Sequence, residues 1–149
     1  VRKKCDSCGG GAPLADKFAS LLRGEFFEGK IIYPCIMADG ARFAYDERGF
    51  FAPAPANIIS GKSETMKYLV GILNSKFAYT ALRKFYMGGG IDGEFKTNNL
   101  LRLPVPPFER DEAKSRELVR LVEANLSSPS EVLVLQIEAK VCELYGVEV

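Results

Sequence analysis

The chain has 149 residues, 47% of them hydrophobic, and a net charge of +1. That is enough apolar material for one domain with its own core, and too little charge for a protein that coats nucleic acid by electrostatics alone. Histidine is absent, which excludes the commonest general base, the usual serine and cysteine triads and most catalytic zinc sites together.

Residues Val1–Gly11 form a leader rich in glycine and charge, without the apolar core of a secretory signal. No run in the chain approaches roughly 18 apolar residues, so no membrane span is expected and the expected location is the cytoplasm. The start at Val1, without a methionine, suggests a piece of a longer protein. Cys5 and Cys8 make one C-x-x-C, half of a zinc site; a closed site needs about four ligands, and Cys35 and Cys142 lie in apolar surroundings typical of free buried thiols. No metal is expected. Leu14, Phe18, Leu21 and Leu22 have helical spacing, and Arg23 with Gly24 ends that short helix.

From Lys30 the period changes. KIIYPCIM is a β-branched run, followed by a tight turn at Asp39–Gly40 and by ARFAYD, in which Phe43 and Tyr45 alternate with Arg42, Ala44 and Asp46. A second turn over Asp46–Gly49 leads to Phe50 and Phe51, so three antiparallel strands are expected. Pro34 demotes the first strand to an edge or marks a bulge, and PAPAN, residues 53–57, reads as an unpaired connector. Ile58 and Ile59 suit a fourth short strand.

Met66, Leu69, Val70, Leu73, Phe77 and Ala81 then recur at three and four, one side of a long helix that begins at the cap Ser63 and stops at Gly88–Gly90. Beside that side run Lys76, Tyr79, Arg83 and Tyr86, with cations and phenol rings alternating. Two readings stand: contacts for a phosphate backbone, or half-buried tyrosines beside a solvated edge. The loop that follows holds four glycines and the polar group Lys96, Thr97, Asn98 and Asn99; it lacks the G-K-[ST] of a phosphate-binding loop. Leu100–Val105 reads as a closing strand.

Arg110–Leu126 is an amphipathic helix with Leu118, Val119, Val122 and Leu126 inward. Ser130 caps a second, Glu131–Tyr145, with Leu133, Ile137, Val141 and Leu144 inward and Gly146 at its end. The stretch Ser60–Arg102 carries seven cations against three acids, and Leu103 onward five against nine, so the central stretch is basic and the terminal hairpin acidic.

The succession KIIYP, FAYDERGFF, YLVGILNSKFAYTALRKF, a glycine and polar loop, and LRLPVPP resembles the C-terminal specificity domain of TaqI-like adenine methyltransferases and of single-chain restriction-modification enzymes. Leu73-Asn74-Ser75 and the LPVPP ending at Pro107 are its most specific pieces. A more distant similarity is to the target-recognition domains of type I specificity subunits. The resemblance runs over about residues 28–149 and leaves the leader outside.

It implies an α+β domain, with a small antiparallel or mixed sheet packed on one long central helix and a C-terminal helical hairpin following. The expected segments are residues 1–29, a leader and short helix; 30–107, a DNA target recognition domain; and 108–149, the hairpin. The implied partner is double-stranded DNA, together with methyltransferase or endonuclease domains of the same or a partner chain. S-adenosylmethionine would be bound by the parent's methyltransferase domain, and no cofactor by this stretch. The adenine-extruding Asn-Pro-Pro-Tyr type of motif and the glycine-rich cofactor motif are both absent, so the stretch is expected to be non-catalytic.

Base reading in a major groove needs Arg or Lys for guanine and Asn or Gln for adenine on rigid supports. Asp39, Arg42, Lys96, Thr97, Asn98 and Asn99 are the candidates for that role, and Lys62, Lys76, Arg83, Lys84 and Tyr86 for phosphate contacts. Two readings from other classes compete. Asp16, Glu28 and Lys30 have the order of a metal-dependent nuclease core, and the terminal hairpin could serve as a protein-interaction module.

Overall fold

Lys30–Pro34 (β1) is the central strand of an antiparallel sheet in which Ala44–Asp46 (β2) and Ala56–Ser60 (β3) flank it. The computed structural model that shows this describes residues 29–50, 52, 55–86 and 97–147; the expected leader helix, Cys5, Cys8, Asp16, Glu28, Lys96 and Gly88–Gly90 lie outside the described residues. Ile31 stands opposite Tyr45 on one side and Ile59 on the other, and the two-residue period puts Tyr33 on the same face. Ile31 and Tyr33 are buried there, and Tyr45 and Ile59 pack against the same core. Lys30 lies directly across from Asp46.

The α+β architecture is the expected one, but the strands are distributed differently. β1 is central, not an edge, because Pro34 is its last residue and pairing with β2 stops at Ile32–Ala44. The missing proline N–H therefore falls where the ladder has already ended on that side. The β1–β2 connection spans residues 35–43 and is not a two-residue turn, since Met37 leaves the strand to fill the core and is fully buried. Phe50 is exposed and outside the sheet, so the third strand is Ala56–Ser60, and its pairing reaches back through Asn57–Tyr33 to Ala56–Pro34, into the presumed connector.

The long helix is broken once. Ser63–Leu73 (α1) ends at Asn74, Lys76–Ala81 (α2) follows, and a π-helical segment continues over Leu82–Tyr86. Ser75 makes the break: its backbone is extended, its hydroxyl donates to Ile72 O at 2.7 Å, and the same oxygen accepts from Ala78 N at 3.1 Å. One side chain thus closes one helix and caps the next. Lys62, not Ser63, occupies the N-cap of α1, and Ser63 Oγ instead meets the Tyr45 hydroxyl at 2.7 Å. Met66, Val70 and Leu73 are buried as their spacing predicts, and Tyr68 and Ile72 are buried too, because α1 packs against both the sheet and the terminal helices.

Thr97–Leu100 (α3) is a short helical turn, and Leu100–Val105 does not form the expected strand. The prolines of the LPVPP segment cannot donate to a ladder; their carbonyls are used instead. Tyr68 Oη donates to Pro106 O at 2.9 Å and Tyr145 Oη to Pro104 O at 2.8 Å. Burial first, then the neighbouring Tyr68 and Tyr86, pushes the Tyr145 hydroxyl far above its ordinary range.

A 3-10 turn, Phe108–Asp111, leads into Glu112–Ser127 (α4) and then Glu131–Tyr145 (α5). Asp111 caps α4 through Lys114 N, Ser130 caps α5 through Leu133 N, and Gly146 ends α5 at φ 71°. Leu118, Val119, Val122, Ile137, Val141 and Leu144 join the same core as the sheet and α1, so the hairpin is packed onto the domain. Leu133 is half-buried, and Leu126, expected inward, is exposed together with Val132, Val134 and Leu135. No helix among the described residues is long and apolar enough to cross a membrane.

Candidate nucleic-acid interface

Asn74, at the end of α1, holds the residue that leads into β2. Its Oδ1 accepts from Phe43 N at 3.0 Å and its Nδ2 donates to Phe43 O at 2.7 Å, so an amide side chain takes the place of a strand neighbour. Leu73 is buried beside it and Ser75 caps α2, which explains the L-N-S triplet as a structural unit. Asn74→Ala removes both bonds from the buried Phe43 and is expected to cost about 1 to 3 kcal/mol, measured by urea unfolding.

The start of α2 has a second acceptor besides Ser75, and this one is anionic. The Glu138 carboxylate, from α5, accepts from Lys76 N at 2.7 Å and Phe77 N at 2.9 Å. Donors with no partner inside the helix thereby tie α2 to the terminal hairpin. Spacing within the central stretch could not show this.

Beyond Pro34 the chain is anchored again at Met37 and Ala38. Tyr79 Oη donates to Met37 O at 2.7 Å and Ala38 O at 3.0 Å, and Arg83 Nη1 donates to Ala38 O at 2.8 Å. The Arg83 guanidinium also lies 5.9 Å from the Tyr79 ring centroid. Arg42 N reaches Met37 Sδ at 3.2 Å, while the side chains of Asp39 and Arg42 are exposed and pair only at 3.6 Å. Asp39 and Arg42 therefore project from a backbone held on both sides.

The π-helical segment packs against α3, which carries Thr97, Asn98 and Asn99. Thr97 and Asn98 are exposed and Asn99 is half-buried, its carbonyl accepting from Arg102 N at 3.1 Å. Arg102 stands 5.5 Å over the Tyr86 ring. Arg83 thus bonds Ala38, the neighbour of Asp39, while Thr97, Asn98 and Asn99 belong to the α3 that packs on the same segment, Leu82–Tyr86. In the sequence Arg102 is only one charge of the basic stretch; its place over Tyr86, sixteen residues away, has no local signal.

Of the remaining candidates, Lys62 and Lys76 stand away from that segment and Lys84 lies within it. Lys62 precedes α1, Lys76 opens α2 and Lys84 lies in the π segment; all three are exposed and their side chains make no ion pair with a described residue. Lys67, also counted in the basic stretch, is spent internally, with Glu123 at 2.9 Å and Glu47 at 3.7 Å. The Glu123 hydrogen bond raises its ammonium above the usual range against the opposing effect of burial.

Lys30 does not stand where a nuclease lysine would. It is buried with Nζ 2.6 Å from Asp46 Oδ2, away from solvent that a metal-bound water would need. Among the described residues no group of three or more His, Cys, Asp or Glu is placed to hold a metal. Cys35 and Cys142 are free; Cys35 is half-buried, its thiol donating to Pro55 O at 2.7 Å, and burial raises the Cys142 thiol.

Exposed hydrogen-bonding side chains thus stand on a clamped turn and on a short helix. The family model of the TaqI-like C-terminal specificity domain matches residues 11–105, and the chain belongs to that family. Its role is therefore DNA target recognition of the restriction-modification kind. The match takes in part of the leader, which the resemblance left out, and stops before the helical hairpin, which it included. No curated protein matches the chain.

Proposed function

We propose that the chain selects a specific duplex DNA sequence for a restriction-modification enzyme whose methyl transfer or cleavage resides in other domains. The carrying observation is that one segment, Leu82–Tyr86, both bonds Ala38 at the foot of the Asp39–Arg42 turn and supports the helix that carries Thr97 to Asn99, within the matched stretch. Arg42 and Asn98 are side chains of the types that read guanine and adenine edges. Lys62, Lys76, Lys84 and Arg102 hold phosphates, which orient the module without carrying sequence. S-adenosylmethionine belongs to the neighbouring methyltransferase domain, and this stretch contributes no residue to the reaction.

The test is a titration of the chain against a preferred duplex, selected from a random pool, and its single-base-pair variants. Asn98→Ala or Asn99→Ala is expected to cost about 1 to 3 kcal/mol on the preferred duplex only. Equal losses on every duplex would move the asparagines into the phosphate class.

The exposed Leu126, Val132, Val134 and Leu135 favour a second role for the hairpin, docking on a neighbouring protein domain. The two readings separate by salt: affinity for DNA falls steeply as salt rises, and affinity for an apolar protein surface does not.

A further inference from the structure

We infer that Tyr79 and Arg83 are positioning residues that aim the Asp39–Arg42 turn at the bases, and that Arg83 is not a phosphate contact. The inference rests on the DNA-reading function proposed above and adds how its specificity is set. Residues 35–43 span too long a connection for a hairpin turn to define by itself, so its geometry must come from elsewhere. It comes from two sets of bonds. Before Asp39, the Met37 and Ala38 carbonyls receive Tyr79 Oη and Arg83 Nη1, and Met37 itself is fully buried. After Gly40, Arg42 N is held on Met37 Sδ and both backbone groups of Phe43 on Asn74.

Between these anchors the Asp39 and Arg42 side chains stay 85% and 63% exposed, 3.6 Å apart, free to exchange each other for a base. Such an arrangement spends little ordering entropy on binding, because the backbone is fixed beforehand and only side chains reorganise. Arg83 belongs to the π-helical segment that also supports α3, so the same segment relates the two candidate reading elements. π-helical turns recur at functional sites. The guanidinium is engaged by a backbone carbonyl and lies over the Tyr79 ring, which is the geometry of a brace.

The experiment uses the 149-residue chain with its selected duplex, all single-base-pair variants of it and a salt series. Arg42→Ala should flatten discrimination at one or two base pairs by roughly tenfold or more. Tyr79→Phe and Arg83→Gln should weaken discrimination at those same base pairs by about tenfold, leave the slope of affinity against salt unchanged, and add nothing in the Arg42→Ala background. Tyr79→Phe deletes one hydroxyl and keeps the packed ring, so it reports even if Arg83→Gln fails to fold. The inference is overturned if Arg83→Gln weakens all duplexes equally and reduces the salt slope by about one, as loss of a phosphate contact would. It is also overturned if Arg42→Ala leaves discrimination intact while DNA binding persists. A wild-type chain with no preference among duplexes would instead sink the proposed function itself.

Discussion

Asp46→Ala is expected to destabilise the fold by about 3 to 5 kcal/mol, the largest single effect among the polar groups, read as a lowered midpoint in guanidinium unfolding. Asp46 and Lys30 are register partners across β1 and β2, both buried, with Oδ2 and Nζ 2.6 Å apart. The carboxylate also accepts from Arg48 N at 3.0 Å and Phe50 N at 2.9 Å, which fixes the chain leaving β2. Alanine removes all three bonds and leaves the lysine charge in the sheet without its carboxylate. Lys30→Met combined with Asp46→Leu should cost less than Asp46→Ala, since the buried lysine charge is then removed together with the Asp46 carboxylate.

The same site sets an acid limb. Burial alone would raise the Asp46 carboxyl, but the Lys30 hydrogen bond and the two backbone donors outweigh it and hold the group below the ordinary carboxylate range. The folded form therefore binds this proton less readily than the unfolded chain. Its stabilisation is complete above the ordinary carboxylate range, at neutral pH included, and is lost as pH falls through the depressed folded value. Asp46→Asn should abolish that part of the pH dependence below about pH 4. An acid limb unchanged in Asp46→Asn would refute the assignment.

Leu118→Ala, in α4, is expected to cost about 2 to 5 kcal/mol by opening a cavity where α1 meets α4. Leu118 is fully buried, and the contact is close because α1 presents Gly71 there. A Cβ on Gly71 would lie 2.8 Å from Val122 Cγ2 and 3.2 Å from Leu118 Cδ1. Gly71→Ala should therefore destabilise by about 1 to 2 kcal/mol, overpacking exceeding the roughly 1 kcal/mol that alanine gains in a helix. In a Val122→Ala background the sign should reverse. Thermal unfolding of the two single variants and the pair would show whether the sign inverts; a Gly71→Ala that stabilises the wild type would remove the close-packing argument.

How much of this was readable beforehand follows from the range of each interaction. The caps Ser130 and Gly146, and the inward positions Leu118, Val119, Val122, Ile137, Val141 and Leu144, arise within one or two turns of helix and were legible. Leu126 misled because periodicity finds a helix face without showing where the neighbouring element ends. Pro34 signals an edge strand or a bulge, though its place at the strand end, visible only once β2 and β3 are paired, makes it harmless in the centre.

The candidate site divides in the same way. Residue types, the basic central stretch and the L-N-S and LPVPP motifs named the family and nominated Arg42 and the asparagines, because composition and short motifs are properties of the chain alone. The roles of Asn74 on Phe43, Tyr79 and Arg83 on Met37 and Ala38, and Glu138 on Lys76 and Phe77 join residues 31, 41 to 45 and 61 to 62 positions apart. By itself, then, the sequence determined an α+β specificity domain and its vocabulary of hydrogen-bonding groups. Tertiary structure alone decided which of those groups brace the scaffold and which face outward, since a donor's role is set by the acceptor that folding brings to it.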